Sequence, residues 1–267
     1  MSTALTRRGR ERFSGTLRFH GGQSGSVVMK DGTVVAASTP AAPGVESLLL
    51  RSGRISEAGW REVFDAAAPY GRLSTELVER GLLGAAAVEV LTQTAVFDAI
   101  FAIALCGVSS CTAEPATPDD LAPLLPVQPG LETDRVVRET ARRLEVAAGW
   151  QRLGLTIHSR PRRLPVEHSA ATAPTRSEIL AKVNGRWTTR DVAFSLGRGL
   201  FSVMTDLAVL MKDGLIAIDP APIDLPPADP PPLPAPPPAP RPPQGTELPR
   251  RRRRMGRKKP VPPAEDA

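Results

Sequence analysis

Residues 177–218, SEILAKVNGRWTTRDVAFSLGRGLFSVMTDLAVLMKDGLIAI, constrain the fold more than any other stretch, because turn residues cut an apolar pattern into three helix-length pieces. Ser177 can cap a first helix carrying Ile179, Leu180 and Val183. Asn184 and Gly185 stop it, since both tolerate the left-handed conformation that ends helices. Thr188 or Thr189 can cap a second helix with Val192, Ala193 and Phe194. The run Leu196-Gly197-Arg198-Gly199 breaks the chain again. A third helix over residues 200–212 then places Leu200, Val203, Met204, Leu207, Leu210 and Met211 at helical spacing. Asp213-Gly214 turns it into a short apolar strand over residues 215–218.

This order resembles the winged helix-turn-helix family, whose closing helix runs into a wing as residues 200–218 do here. The resemblance implies DNA binding through the third helix. With the apolar stripe turned inward, the outward positions are Ser202, Thr205, Asp206 and Val209. None is cationic, and Asp206 has the wrong sign for phosphates. The cations available to DNA in this stretch are Arg186, Arg190, Arg198 and Lys212, with Ser202 and Thr205 as polar contacts. Val209, apolar on the outward face, is the candidate partner contact if the module binds a protein instead.

The chain before this module reads as α+β. Residues 1–12 are polar and basic, with Arg7, Arg8, Arg10 and Arg12, and are expected to form a disordered arm. Strands are expected at 15–19, 25–29 and 33–37, the last two joined by Asp31-Gly32, a strong hairpin signal between β-branched runs. Gly21, Gly22 and Gly25 make no phosphate cradle, because a strand and not a helix follows them. Helices follow at 45–51, 56–67 and 73–80, then a long one at 85–105 with Val88, Leu91, Ala95, Phe97, Ile100 and Ala104 on its apolar face. A strand returns at 108–113. A Pro-rich crossing over 112–132 leads to a helix at 134–148, and residues 159–174 read as an extended linker.

The order Gly15-Thr-Leu-x-Phe19, a second strand, then Lys30-Asp31-Gly32-x-Val34-Val35-x-Ala37 and a helix resembles the PATAN-type domain family of bacterial signalling proteins. Glu79-Arg-Gly-Leu-Leu83 before a long helix resembles the family's helical insert, and residues 136–150, with Arg142-Arg143-Leu144-Glu145, its closing helix. The resemblance covers about residues 13–158. The apolar helix that the family places before its first strand has no match in the basic residues 1–12. The resemblance implies an interaction or signal-relay domain without catalytic residues.

A net charge of +6 suggests a polyanion partner, but its location matters. From Pro220 onward nine basic and five acidic residues carry +4 of it, so residues 1–219 carry only +2. That tail, 220–267, holds eighteen of the 29 prolines and is expected to be disordered, with local polyproline II preference. Its arginine run, Arg250, Arg251, Arg252, Arg253 and Arg254, can hold nucleic acid or an anionic membrane surface by charge, or serve only as a solubilising segment. Cys106 and Cys111, with three scattered histidines, make no zinc site and are expected to be buried and reduced. The apolar stretch 95–108 contains Asp98 and is too short to span a bilayer, and no signal peptide pattern stands at residues 1–12, so a soluble cytoplasmic protein is expected. No nucleophile elbow, phosphate loop or acid pair converges, and Asp119-Asp120 reads as a solvated charge pair.

The sequence therefore leads to a non-enzymatic bacterial regulator without cofactor or metal. It comprises a PATAN-like interaction domain (13–158) that binds a signalling partner, a small three-helix winged-helix-like module (175–219) and a Pro-rich basic tail. DNA-associated transcriptional regulation, gated by what the N-terminal domain binds, is the leading reading. The other is a signalling scaffold in which the module binds a protein and not DNA. A homodimer is an open state of assembly.

Overall fold

A computed structural model describes residues 1–118, 120–165 and 173–218. The architecture is α+β: a small antiparallel sheet packed with helices. Residues expected to be a disordered arm instead open the fold as helix α1, Ser2–Arg10. The reason is apolar: Leu5, 1% exposed, anchors the helix in the sheet core, with Met1 and Ala4 beside it. Gly9 lies so close to Thr133 that a β-carbon there would come within 2.3 Å of Thr133 Oγ1, so only glycine lets α1 settle on the following layer. Arg7, Arg8 and Arg10 fall in the last turn, where they complement the helix dipole.

Strands β1 (Gly15–Gly21), β2 (Gly25–Lys30) and β3 (Thr33–Ser38) form an antiparallel meander. Lys30 pairs with Thr33, leaving Asp31 and Gly32 as a two-residue loop with φ of 48° and 81°, the tight turn expected of an Asp-Gly pair. The short helix α2 (Val45–Leu50), α3 (Glu57–Ala67) and α4 (Leu73–Glu79) follow. Ser56 caps α3 by accepting from the Gly59 amide. Next come α5 (Ala85–Leu105), β4 (Val108–Pro115), the two-residue β5 (Leu131–Glu132) and α6 (Thr133–Arg152). The sheet order is β4-β1-β2-β3-β5.

Helix α5 is the axis of the molecule. The sequence places one apolar stripe on it, yet every residue from Ala95 to Ile103 is buried. Three apolar clusters meet along it. Its Val96, Phe97, Ile100 and Ile103 pack under Leu17, Phe19, Val27 and Val34 of the sheet. Leu91 and Ala95 join Trp60, Val63, Leu73 and Leu77 of α3 and α4. Phe101 and Ala102 join Ala147 and Trp150 of α6 and the helices that follow. At 21 residues and mean hydropathy 1.7, α5 is long and apolar enough to cross a membrane, unlike the shorter stretch read from the sequence, but 61% of that window is buried inside the protein.

The last helices are α7 (Pro174–Lys182), α8 (Thr189–Leu196) and α9 (Leu200–Lys212). Helix α7 starts at Pro174, whose missing amide suits a first helical position, so Ser177 lies inside the helix and does not cap it. The expected linker is also corrected in its described part. Pro161–Arg163 is strand β6, paired antiparallel with β7 (Ile216–Ile218). Just before it, Ile157 is buried, its carbonyl accepting from the Arg190 amide, and the Ser159 carbonyl accepts from that of Thr189. Residues 166–172 of that span lie outside the described residues. The three-helix module therefore does not hang on a spacer. Its Ile179, Val192, Val203, Met204 and Leu207 share one core with Phe101 of α5 and Trp150 of α6. Among the described residues the strand after α9 pairs with one preceding α7.

Candidate interaction surface

The module is fixed locally by its caps. Thr188 accepts from the Asp191 amide and Asp191 Oδ2 accepts from the Thr188 amide, a reciprocal box that starts α8. Burial of Asp191 acts against its charge, but the hydrogen bonds from Thr188 prevail and hold the carboxyl below its ordinary range. Gly197 ends α8 at φ 57°. It abuts the end of α2 so closely that a β-carbon would lie 2.3 Å from the Ser52 amide nitrogen. Asn184 Oδ1 accepts from the amides of Arg186 and Trp187, shaping the turn between α7 and α8.

Among the described residues, those expected to meet DNA are not brought together as one cationic surface. Arg198 is turned into the module: its guanidinium donates to the Thr175 carbonyl at 3.0 Å, to Ser202 Oγ at 3.3 Å and to Asp206 Oδ2 at 2.7 Å. Asp206, expected to repel phosphates, is held between Arg198 and Arg176. Arg190 is half-buried over the Phe194 ring, its centre 5.2 Å from the ring centroid. Ser202 and Thr205 are exposed on α9, but Thr205 donates its hydroxyl to the Phe201 carbonyl. Arg186 and Lys212 are exposed. Val209, expected to stand out as a partner contact, is half-buried. Arg250, Arg251, Arg252, Arg253 and Arg254 lie outside the described residues, as does Asp119.

Between α2 and the α7–α8 turn lies an open groove of about 800 Å³. Leu50, Trp187 and Phe194 supply apolar surface, while Glu46, Arg51 and Lys182 bring charges of both signs. Trp187 remains 37% exposed, with the Lys182 ammonium 5.7 Å from its ring centroid. An exposed tryptophan beside a mixed polar rim is the composition of a protein-contact surface. The sequence reading passed over Trp187. An aromatic two residues after an Asn-Gly turn, in a chain with few aromatics, was the available signal.

A second feature missed by the sequence reading supports this face from within. Asp98, in the middle of α5, accepts from Arg143 Nη1 of α6 at 2.6 Å. Its other oxygen, Oδ2, has no partner in hydrogen-bond geometry among the described residues, but faces Gly199 and the first amides of α9. Burial pushes the Asp98 carboxyl up, while Arg143 and the Leu200 and Phe201 amides pull in the opposite direction. Arg143 also lies 4.7 Å from the Phe201 ring centroid and bonds Glu139. The bond from Arg142, against a smaller burial cost, drives Glu139 down to about 2. A lone carboxylate inside an apolar helix signals a buried pair, because an uncompensated charge there is too costly to keep.

Cys106 is half-buried and Cys111 exposed, so the expectation of two buried thiols fails at Cys111, on strand β4 at the edge of the sheet. Among the described residues no group of three His, Cys, Asp or Glu could hold a metal ion. Compared with protein-family models, curated proteins and solved structures, the chain shows no match.

Proposed function

We propose that this chain is a non-enzymatic regulatory protein that acts by binding another protein, using the groove of Leu50, Trp187 and Phe194 as its contact surface. One observation carries the reading: α9, the helix that would read DNA, lies in the common core with α5 and α6, and its flanking Arg198 is neutralised by Asp206. The resemblance of residues 13–158 to a PATAN-type domain points the same way. Any attraction to nucleic acid then belongs to the arginines at 250–254, and is a charge effect without sequence preference.

Fluorescence anisotropy of labelled duplex DNA tests this with three full-length proteins: the native chain, one with Arg250–Arg254 changed to alanine, and one with Arg186→Ala and Lys212→Ala. Binding that is steeply salt-dependent, indifferent to sequence and lost only in the first variant is expected. Sequence-selective binding that survives loss of the five arginines would return the module to DNA reading. The contact surface is checked by capture of cellular proteins on native and Trp187→Ala chains, where the variant is expected to lose the partner while keeping its circular dichroism.

A further inference from the structure

The two edges of the five-stranded sheet are treated differently. Beyond β3 the chain closes the edge: β5 pairs with Thr33 and Val34, and the Val127 amide donates to the Val35 carbonyl. At the opposite end β4, eight residues long, is paired with β1 on one side, and among the described residues the sheet ends there. Such an edge presents unpaired amides and carbonyls unless charges, prolines or bulges blunt it.

The direction of those groups follows from the register. The Ala116 amide donates to the Ser14 carbonyl, and antiparallel pairs alternate between bonded and non-bonded. Glu114, Thr112 and Ser110, opposite Thr16, Arg18 and His20, thus point their backbone groups at β1. Cys111 and Ala113 point theirs away from the sheet. Two features limit the free run. The register shifts at His20/Gly21, where Ser109 is the extra residue and its hydroxyl bonds the His20 carbonyl. At the other end Pro115 has no amide to offer. What remains is 110–114, a window centred on Thr112.

We propose that β4 is a homodimerisation edge, on which the β4 of a second copy pairs antiparallel about a two-fold axis at Thr112. The window is its own complement. Cys111 faces the partner's Ala113 and Ala113 the partner's Cys111, forming about four backbone hydrogen bonds. Thr112 meets its own copy as a close, non-bonded pair, an arrangement that threonine favours. Glu114 falls opposite the partner's Ser110 and not opposite another carboxylate. It is already paired with Arg18 on its own chain at 2.8 Å. Bulge and proline lie equally far from the axis, so both copies stop pairing at the same points. A strand of different sequence would have no such matched limits. The interface is distinct from the groove at Trp187 and does not depend on its role.

Analytical ultracentrifugation of the full-length chain tests the proposal, with a concentration-dependent monomer–dimer equilibrium expected. Ala113→Pro removes an outward amide and no bond to β1. It should yield a monomer with unchanged circular dichroism, and a persistent dimer in this variant would overturn the proposal, as would a native chain that stays monomeric. A second variant covers the case in which Ala113→Pro does not fold. Thr112→Cys, with Cys106→Ser and Cys111→Ser, should form a disulfide-linked dimer under mild copper-phenanthroline oxidation. The same background carrying Asp65→Cys, on exposed α3, should not. Equal cross-linking of the two, or none at Thr112→Cys, sinks the proposal.

Discussion

Asp98 and Arg143 stand 2.6 Å apart across the interface of α5 and α6, with side chains 3% and 13% exposed; removing Arg143 strips Asp98 of its ion-pair partner, whereas Arg143 without Asp98 keeps its bond to Glu139. The pair lies where the three apolar clusters converge, between the Phe97 and Phe201 rings that flank the guanidinium. Breaking one partner of a buried pair is costlier than replacing both by apolar groups. Asp98→Asn and Arg143→Met should each lower stability by about 3 kcal/mol. The double variant should lose less than the sum. Urea titrations of the three proteins read the difference, and strict additivity would mean that the two residues are not coupled.

Glu139 supplies the acid response. Its carboxyl is held down to about 2 in the folded chain, first by Arg142 and then by Arg143, against an ordinary value near 4.5. A depressed carboxylate stabilises the fold above its unfolded pKa, and that stabilisation is lost as pH falls through the folded value. Native protein should therefore lose stability between about pH 4.5 and pH 2, and Glu139→Gln should flatten that slope. Asp98 titrates with the opposite sign, because its folded pKa is raised. The comparison is accordingly made between native and Glu139→Gln chains at each pH by thermal unfolding, not from the native curve alone.

Arg198 separates the two uses of the module. With its guanidinium bound to Asp206, Ser202 and the Thr175 carbonyl, it ties α9 to the start of α7. Arg198→Ala should cost about 1 kcal/mol of stability, the scale of a partly exposed hydrogen-bonded ion pair. The same change should leave DNA affinity unaltered in the anisotropy assay. A fall in affinity without a fall in melting temperature would reverse the assignment.

Gly197 joins α8 to α2. Alanine there would have to adopt φ 57° and would drive its methyl into the Arg51–Ser52 backbone. Gly197→Ala should destabilise by about 2 kcal/mol, combining the cost of the left-handed backbone conformation with overpacking. Hydrogen exchange should show the loss concentrated in α2 and α8. Uniform loss, or none, would mean that the junction is soft enough to yield.

Much of the architecture was legible because it rests on local signals. The Asp31-Gly32 hairpin, the Ser56 and Thr188 caps, the 85–105 helix and the apolar stripe of α9 each follow from a few neighbouring residues. What escaped is tertiary. Residues 1–12 look like a solvated arm because arginines dominate them, and only the sheet shows that Leu5 has somewhere to be buried. Pro161–Arg163 looks like a spacer because its pairing partner, Ile216–Ile218, lies more than fifty residues away. For a similar reason Arg198 reads as an available cation until Asp206, eight residues later on α9, is seen to hold it.

The sharing of Phe101 and Trp150 between α5, α6 and the last three helices sets how the protein can be taken apart. A cut at residue 159 or 174 does not separate a sensor from a reader. It strips one wall from a common interior and leaves aromatic surface bare on both pieces, so fragments made there should aggregate where the intact chain does not. Among the described residues the terminal helices are held to that shared interior. A binding event at the Trp187 groove would reach the sheet by altering how tightly α5 is gripped.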